Sequence, residues 1–111
     1  MKDPILIVGG TSGIGSALAT RCADRGHPVH VASRRVQSTC TAADDSAGIT
    51  SITMDATVSD SVESAFQAAT PDGRLAGLAY CPGTIDLKPL RRVSDDDLLE
   101  AFRVNVIGAV N

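Results

Sequence analysis

The segment Ile5-Leu6-Ile7-Val8-Gly9-Gly10-Thr11-Ser12-Gly13-Ile14-Gly15 constrains this chain more than any other. Four consecutive apolar residues between Pro4 and Gly9 read as a buried strand, and the spacing after the turn becomes helical. A buried strand that passes through a glycine turn into a helix is suited to hold phosphate. The backbone can come close to the ligand, and the helix start offers unpaired N–H groups and the positive end of its dipole. Gly9, Gly13 and Gly15 are spaced G-x-x-x-G-x-G rather than G-x-G-x-x-G. The glycines alone are a weak signal, and the strand before and helix after them give it weight. Gly9, Gly10, Thr11, Ser12, Gly13, Ile14 and Gly15 are therefore read as a cradle for a dinucleotide pyrophosphate, the two hydroxyls donating to its oxygens. The alternative is a plain strand–helix turn without a ligand.

The rest of the chain alternates in the same way. A helix is expected over residues 13–24, with Ile14, Leu18 and Cys22 on its apolar face and Ala17 between them. Gly26 and Pro28 end it. A second strand runs from His27 or Pro28 to Ala32. The polar stretch up to Gly48 has room for a short helix over Val36 to Ala43. A third strand spans Ile49 to Met54. A helix then starts near Asp60, where Glu63 three residues on completes a capping-box pattern, and buries Val62, Ala65, Phe66 and Ala69. Thr70-Pro71-Asp72-Gly73 is a turn. The fourth strand starts at Leu75 or Ala76, runs to Tyr80, and is broken by Cys81-Pro82-Gly83. Ser94 caps a long final helix whose first turn holds Asp95, Asp96 and Asp97, with a stripe of Leu98, Leu99, Phe102, Val106 and Val110. Strands alternating with helices predict one α/β domain over residues 1–111, a Rossmann-type doubly wound parallel sheet in the order 3-2-1-4. A ligand would sit at the switch between strands one and four.

Composition excludes several classes. A net charge of −3 leaves no basic footprint, and one Tyr, two Phe and no Trp leave few stacking platforms, so no nucleic-acid partner is expected. No apolar run approaches the ~20 residues of a membrane span. The N-terminal residues do not form a signal-peptide pattern, so a cytoplasmic protein without a membrane partner is expected. Three cysteines without CxxC spacing read as reduced thiols. His27 and His30 would point to opposite faces of a strand, so no metal site is expected.

Two further places bear on the ligand. Ser33-Arg34-Arg35 follows strand two. A carboxylate there would bind a ribose 2′-hydroxyl, whereas arginine accommodates a 2′-phosphate, so NADP is favoured over NAD. A solvated arginine pair is the plainer alternative. Asp55-Ala56 follows strand three, on the edge that carries ligands. Asp55 either accepts from an adenine amino group or caps the turn into Thr57.

Taken together, the glycine turn, Ser33-Arg34, Asp55-Ala56, Leu78 to Gly83, and Asn105 within Arg103-Val104-Asn105-Val106 resemble the short-chain dehydrogenase/reductase family. The resemblance covers essentially the whole chain and the N-terminal half of a family member. It implies that the glycine turn binds pyrophosphate, Arg34 the 2′-phosphate of NADP, and that Asp55 lies near adenine. Asn105 matches the family's catalytic asparagine, which bends its helix and holds a water in a proton relay. Val8 stands where the family usually has threonine, so a side-chain bond to strand four is expected to be lost. The family's Asn-Asn-Ala-Gly is here Tyr80-Cys81-Pro82-Gly83, in which only Gly83 survives, so cofactor geometry near the adenosine ribose is expected to differ.

The family's general acid resembles a tyrosine with a lysine four residues on. Tyr80 is the only tyrosine and its i+4 residue is Thr84, so it does not fit that role. The catalytic serine, tyrosine and lysine are expected beyond Asn111, in a longer protein truncated here after its fourth strand and following helix. The reading is the NADP(H)-binding portion of an oxidoreductase that moves hydride between nicotinamide and a carbonyl or alcohol carbon. A non-catalytic NADP-binding module and a degenerate fragment are the alternatives. The substrate is unknown, and a homo-oligomer through the final helix is what the resemblance implies for the full protein.

Overall fold

In a computed structural model, residues 2–10, 13–34 and 48–111 are described. Thr11, Ser12, Arg35, Cys40 and the expected helix over 36–43 lie outside them.

Strand β1 (Ile5–Val8) pairs in parallel with β2 (Val29–Ser33) on one side and β4 (Gly77–Tyr80) on the other, and β2 pairs with β3 (Ile49–Thr53). The order is β3-β2-β1-β4, as the doubly wound rule requires. Ile5 faces Val29 and Gly77, and Val8 faces Ala32 and Tyr80, so β1 and β4 end level and β2 runs one residue further, to Ser33.

Strand alternation divides the core. Ile7, Val29, Val31 and Ile49 pack under α1 (Gly13–Asp24) with Ala19. Leu6, Val8, Ala32 and Met54 pack on the other face under α2 (Ser59–Ala69), against Val62, Ala65 and Ala69. Leu6, Ile7 and Val31 are wholly buried. β1 is thus covered on both faces, which is why it reads as an unbroken apolar run.

The expected boundaries shift in places, each for a local reason. β2 begins at Val29, because Pro28 has no N–H and its carbonyl instead accepts Ile5 N at 2.9 Å. β3 ends at Thr53, and Met54 N–H turns to Ser33 O. β4 begins at Gly77, since Ala76 N–H is spent on Pro4 O. The face of α1 is also corrected. Ile14 is 83% exposed and Ala17 is exposed, whereas Gly15 and Ala19 are buried, with Leu18, Cys22 and Ala23 at the margin. The smallest residues face the sheet because the glycine turn holds the start of α1 too close to β1 for a larger side chain.

At α2 the expected capping box does not form. Val58 is the N-cap and makes no side-chain cap bond. The chain is steered earlier, where Asp55 N–H donates to the Ser61 hydroxyl at 2.9 Å. At the final helix the expected Ser94 cap does form, and it forms as a capping box that the sequence reading did not specify, Ser94 Oγ accepting from Asp97 N–H and Asp97 accepting from Ser94 N–H. This α3 (Asp95–Phe102) then widens into a π-helical segment, Arg103–Ile107, before a last α-turn, Gly108–Val110. Its predicted stripe faces outward. Leu98, Leu99, Phe102, Val106 and Val110 are 43–81% exposed, while Gly108 is buried. Among the described residues no helix is long and apolar enough to cross a membrane.

His30, in β2, sits on the α2 face between Leu6 and Thr50. Its Nδ1 is buried without a hydrogen-bond partner among the described residues, and burial lowers its pKa from 6.5. The unfolded chain therefore binds this proton more readily than the folded one. Stability is full above about pH 6.5 and falls as the pH drops through the lowered folded value. The carboxylates Asp55 and Asp97 lose their contribution only below their ordinary 3.8, so the windows are separate. Urea midpoints are expected to drop between pH 7.5 and 5.5 in the parent, and much less in His30→Phe. An equal drop in both would remove His30 as the cause.

Candidate cofactor site

The ends of the four strands open onto a cleft of about 570 Å³. Its floor is Val8 at the end of β1 with Gly9 after it, Ala32 near the end of β2, and Met54 after β3. One rim carries Ser33, Arg34, Asp55, Ala56 and Thr57. The other carries Tyr80, Pro82, Gly83 and Thr84, closed by Glu100 and Val104 from the final helix. Of the residues singled out from the sequence, Gly9, Ser33, Arg34, Asp55, Ala56 and Gly83 thus share one cleft. Gly10, Gly13, Ile14, Gly15 and Asn105 lie outside its lining.

Three glycines of the turn, Gly9, Gly10 and Gly15, are tightly packed. Gly9 has φ 75°, and a Cβ there would lie 2.9 Å from Pro82 N. A Cβ on Gly10 would lie 2.6 Å from a Val31 methyl, and one on Gly15 2.4 Å from Gly9 O. Among the described residues a Cβ on Gly13 would meet nothing within 4 Å. Among the described residues the turn is therefore pressed onto its neighbours at Gly9, Gly10 and Gly15 and open at Gly13, where the helix start offers unpaired N–H groups. Val8 has no side-chain hydrogen bond to give where the family usually has threonine, and β1 meets the end of β4 through backbone instead. Val8 is packed in the core, and its carbonyl accepts Cys81 N–H at 2.9 Å.

Asp55 caps its own turn. Its Oδ1 accepts from Thr57 N–H at 2.9 Å and from the Thr57 hydroxyl at 2.6 Å. The Thr57 hydroxyl, then the Thr57 N–H, and the more distant charge of Arg34 hold its pKa below the usual value. The capping alternative is thus realised. Arg34 is exposed at the rim.

Asn105 sits in the π-helical segment and reaches back to the loop after β4. Its Oδ1 accepts Thr84 N–H at 2.9 Å and its Nδ2 donates to Thr84 O at 3.0 Å. Further along that loop Lys88 bridges Asp86 at 2.9 Å and Asp97 at 2.8 Å. The Lys88 bond, then the Ser94 N–H, lowers the Asp97 pKa to about 2. The Tyr80 hydroxyl donates to Val104 O at 2.5 Å, and burial raises its pKa.

Sequence reasoning missed Thr57, Thr84, Glu100 and Val104 as lining residues. Thr57 was legible, since Asp followed two residues later by Thr is an Asx-turn signal. Glu100, Val104 and Gly108 recur at i+4 on one helix face, but the more apolar stripe beside them drew the reading away. Among the described residues no cluster of His, Cys, Asp or Glu could hold a metal ion.

A family model described as short chain dehydrogenase matches residues 3–111. A short-chain dehydrogenase/reductase, ucsE, of Acremonium sp. is 31% identical, with 98% of this chain and 47% of that protein covered. An actinorhodin polyketide ketoreductase variant solved with NADPH superposes with a TM-score of 0.88 at 23% identity, over 98% of this chain and 44% of that one. A Serratia marcescens short-chain dehydrogenase/reductase variant does so with a TM-score of 0.84 at 24% identity, over 99% and 47%. The chain therefore spans less than half the length of these relatives.

Proposed function

The chain belongs to the short-chain dehydrogenase family, and from that premise we propose that its cleft binds the adenosine and pyrophosphate portion of NADP(H) within an oxidoreductase. The bound cofactor supplies a hydride donor or acceptor for a carbonyl or alcohol carbon. The NADPH-bound ketoreductase among the structural neighbours is in keeping with this. On this reading Gly9, Gly10, Gly13, Ile14 and Gly15, with Thr11 and Ser12, hold the pyrophosphate, Ala56 and Gly83 flank the adenosine, and Arg34, with Arg35, meets the 2′-phosphate. Asp55 presents its second oxygen to adenine while Oδ1 holds Thr57. Asn105 keeps the loop after β4 in place. The outward stripe from Leu98 to Val110 is where a second subunit would dock.

The observation that carries the preference for NADP is Arg34 at the cleft rim, directly after β2. A charged hydrogen bond contributes roughly 1.5–3 kcal/mol, about a 10- to 100-fold change in affinity. Arg34→Asp is expected to weaken NADPH by that factor and to improve NADH relative to it, both read by titrating the chain. Unchanged titrations with both cofactors would overturn the assignment of this rim.

A further inference from the structure

We infer that Tyr80 is a positioning residue that holds the π-helical segment, and through it the Thr84 rim of the cleft. The reason lies in the backbone. In an α-helix the Val104 carbonyl would accept Gly108 N–H, four residues on. Here Gly108 N–H goes to Arg103 O, five residues back. The widened turn thus deprives Val104 O of its helical donor, and the Tyr80 hydroxyl supplies one instead. Room for the phenol exists because residue 108 is glycine. A Cβ there would stand 2.3 Å from the Tyr80 oxygen, 3.3 Å from Ala56 Cβ and 3.4 Å from Arg103 O.

The hydroxyl and the absent Cβ therefore occupy one space. Asn105, next to Val104, bonds both backbone groups of Thr84. With Val104 tied to β4, Asn105 is held at the height of the loop, and Thr84 is fixed where it lines the cleft. Only the last step, from an ordered rim to cofactor affinity, rests on the NADP(H) reading.

The test uses this chain in three variants: Tyr80→Phe, Gly108→Ala and the two combined. Hydrogen exchange at the Thr84 amide is the readout without cofactor, with amides of the β1–β2 ladder as the control for global unfolding. Tyr80→Phe is expected to speed Thr84 exchange about fivefold or more, the factor matching one lost hydrogen bond, with the ladder unchanged. Gly108→Ala is expected to unfold the final helix or speed exchange far more. In the Tyr80→Phe background the same substitution is expected to cost much less, because its methyl fills the space the hydroxyl left. NADPH affinity should fall in Tyr80→Phe in step with the loss of Thr84 protection. Unchanged Thr84 exchange in Tyr80→Phe, or an equal cost of Gly108→Ala in both backgrounds, would overturn the latch. Loosened Thr84 with unchanged NADPH affinity would overturn its link to the cofactor. A parent that fails to bind NADPH, with Thr84 protection still lost in Tyr80→Phe, would sink the cofactor reading and leave the latch supported.

Discussion

Gly15→Ala is expected to abolish NADPH binding and to destabilise the chain by at least about 2 kcal/mol, in the upper range for overpacking. Helix propensity points the other way, since alanine in a helix is favoured over glycine by about 1 kcal/mol. Geometry decides the sign. The new Cβ would lie 2.4 Å from Gly9 O and 2.9 Å from Gly10 Cα, and both neighbours are main chain, which cannot swing aside. Relief requires the turn to lift from α1, taking with it the backbone that would face the pyrophosphate. Gly13→Ala is the control. Among the described residues nothing lies within 4 Å of its Cβ position, and the left-handed backbone, φ 58°, opposes the change by about 1–2 kcal/mol. Urea midpoints and NADPH titrations of the two variants decide the matter. A Gly15→Ala chain no weaker in either than Gly13→Ala would refute the packing argument.

Leu6→Ala is the second large effect. Leu6 is 0% exposed in the strand with partners on both sides, and its side chain enters the layer beneath α2 with Val8, Ala32 and Val62. Truncation there costs roughly 2–5 kcal/mol, the removed methyl groups plus the cavity they leave. Domains of this kind have only about 5–15 kcal/mol in total. The melting temperature is expected to fall by ~10 °C or more. Leu98→Ala makes the comparison fair. That leucine is 61% exposed, and the change is expected to stay within about 0.5 kcal/mol. Similar melting shifts for the two would contradict the burial of β1 on both faces.

The fold was legible because its signals are local and repeated. β1 and β4 are short, mostly apolar runs ended by glycine or proline, β2 and β3 are rich in β-branched residues and run into polar ones, and the parallel order follows from alternation with helices. The helix spanning Gly13–Asp24 could be bounded from its glycines and Pro28, yet its buried face could not. Hydrophobicity pointed to Ile14, whereas the close approach demanded by the turn selected Gly15 and Ala19. In the same way Asp60 and Glu63 match a capping pattern, but the Asp55–Thr57 turn and the Ser61 hydroxyl settle where the helix begins. At the site, Arg34 and Asp55 could be placed on one edge from strand ends alone. The parts that meet across long sequence distances could not. Nothing in the spacing of Tyr80, Val104 and Gly108 shows that a phenol, a freed carbonyl and a missing Cβ share one place.

The parallel register carries a consequence for how the chain reaches its native state. Ile5 pairs with Gly77, 72 positions further on (77 − 5). No two adjacent strands are joined by a hairpin, so every ladder must close a long loop before it gains any contact, and such topologies fold slowly. The longest closure is also the one that presses Gly9 against Pro82 and brings Cys81 N–H to Val8 O. The same pairing that makes the β1–β4 seam thus also builds one rim of the cleft above it. The residues up to Ala69 hold every buried apolar side chain of the described core, yet without β4 the cleft lacks the rim made by Tyr80, Pro82, Gly83 and Thr84.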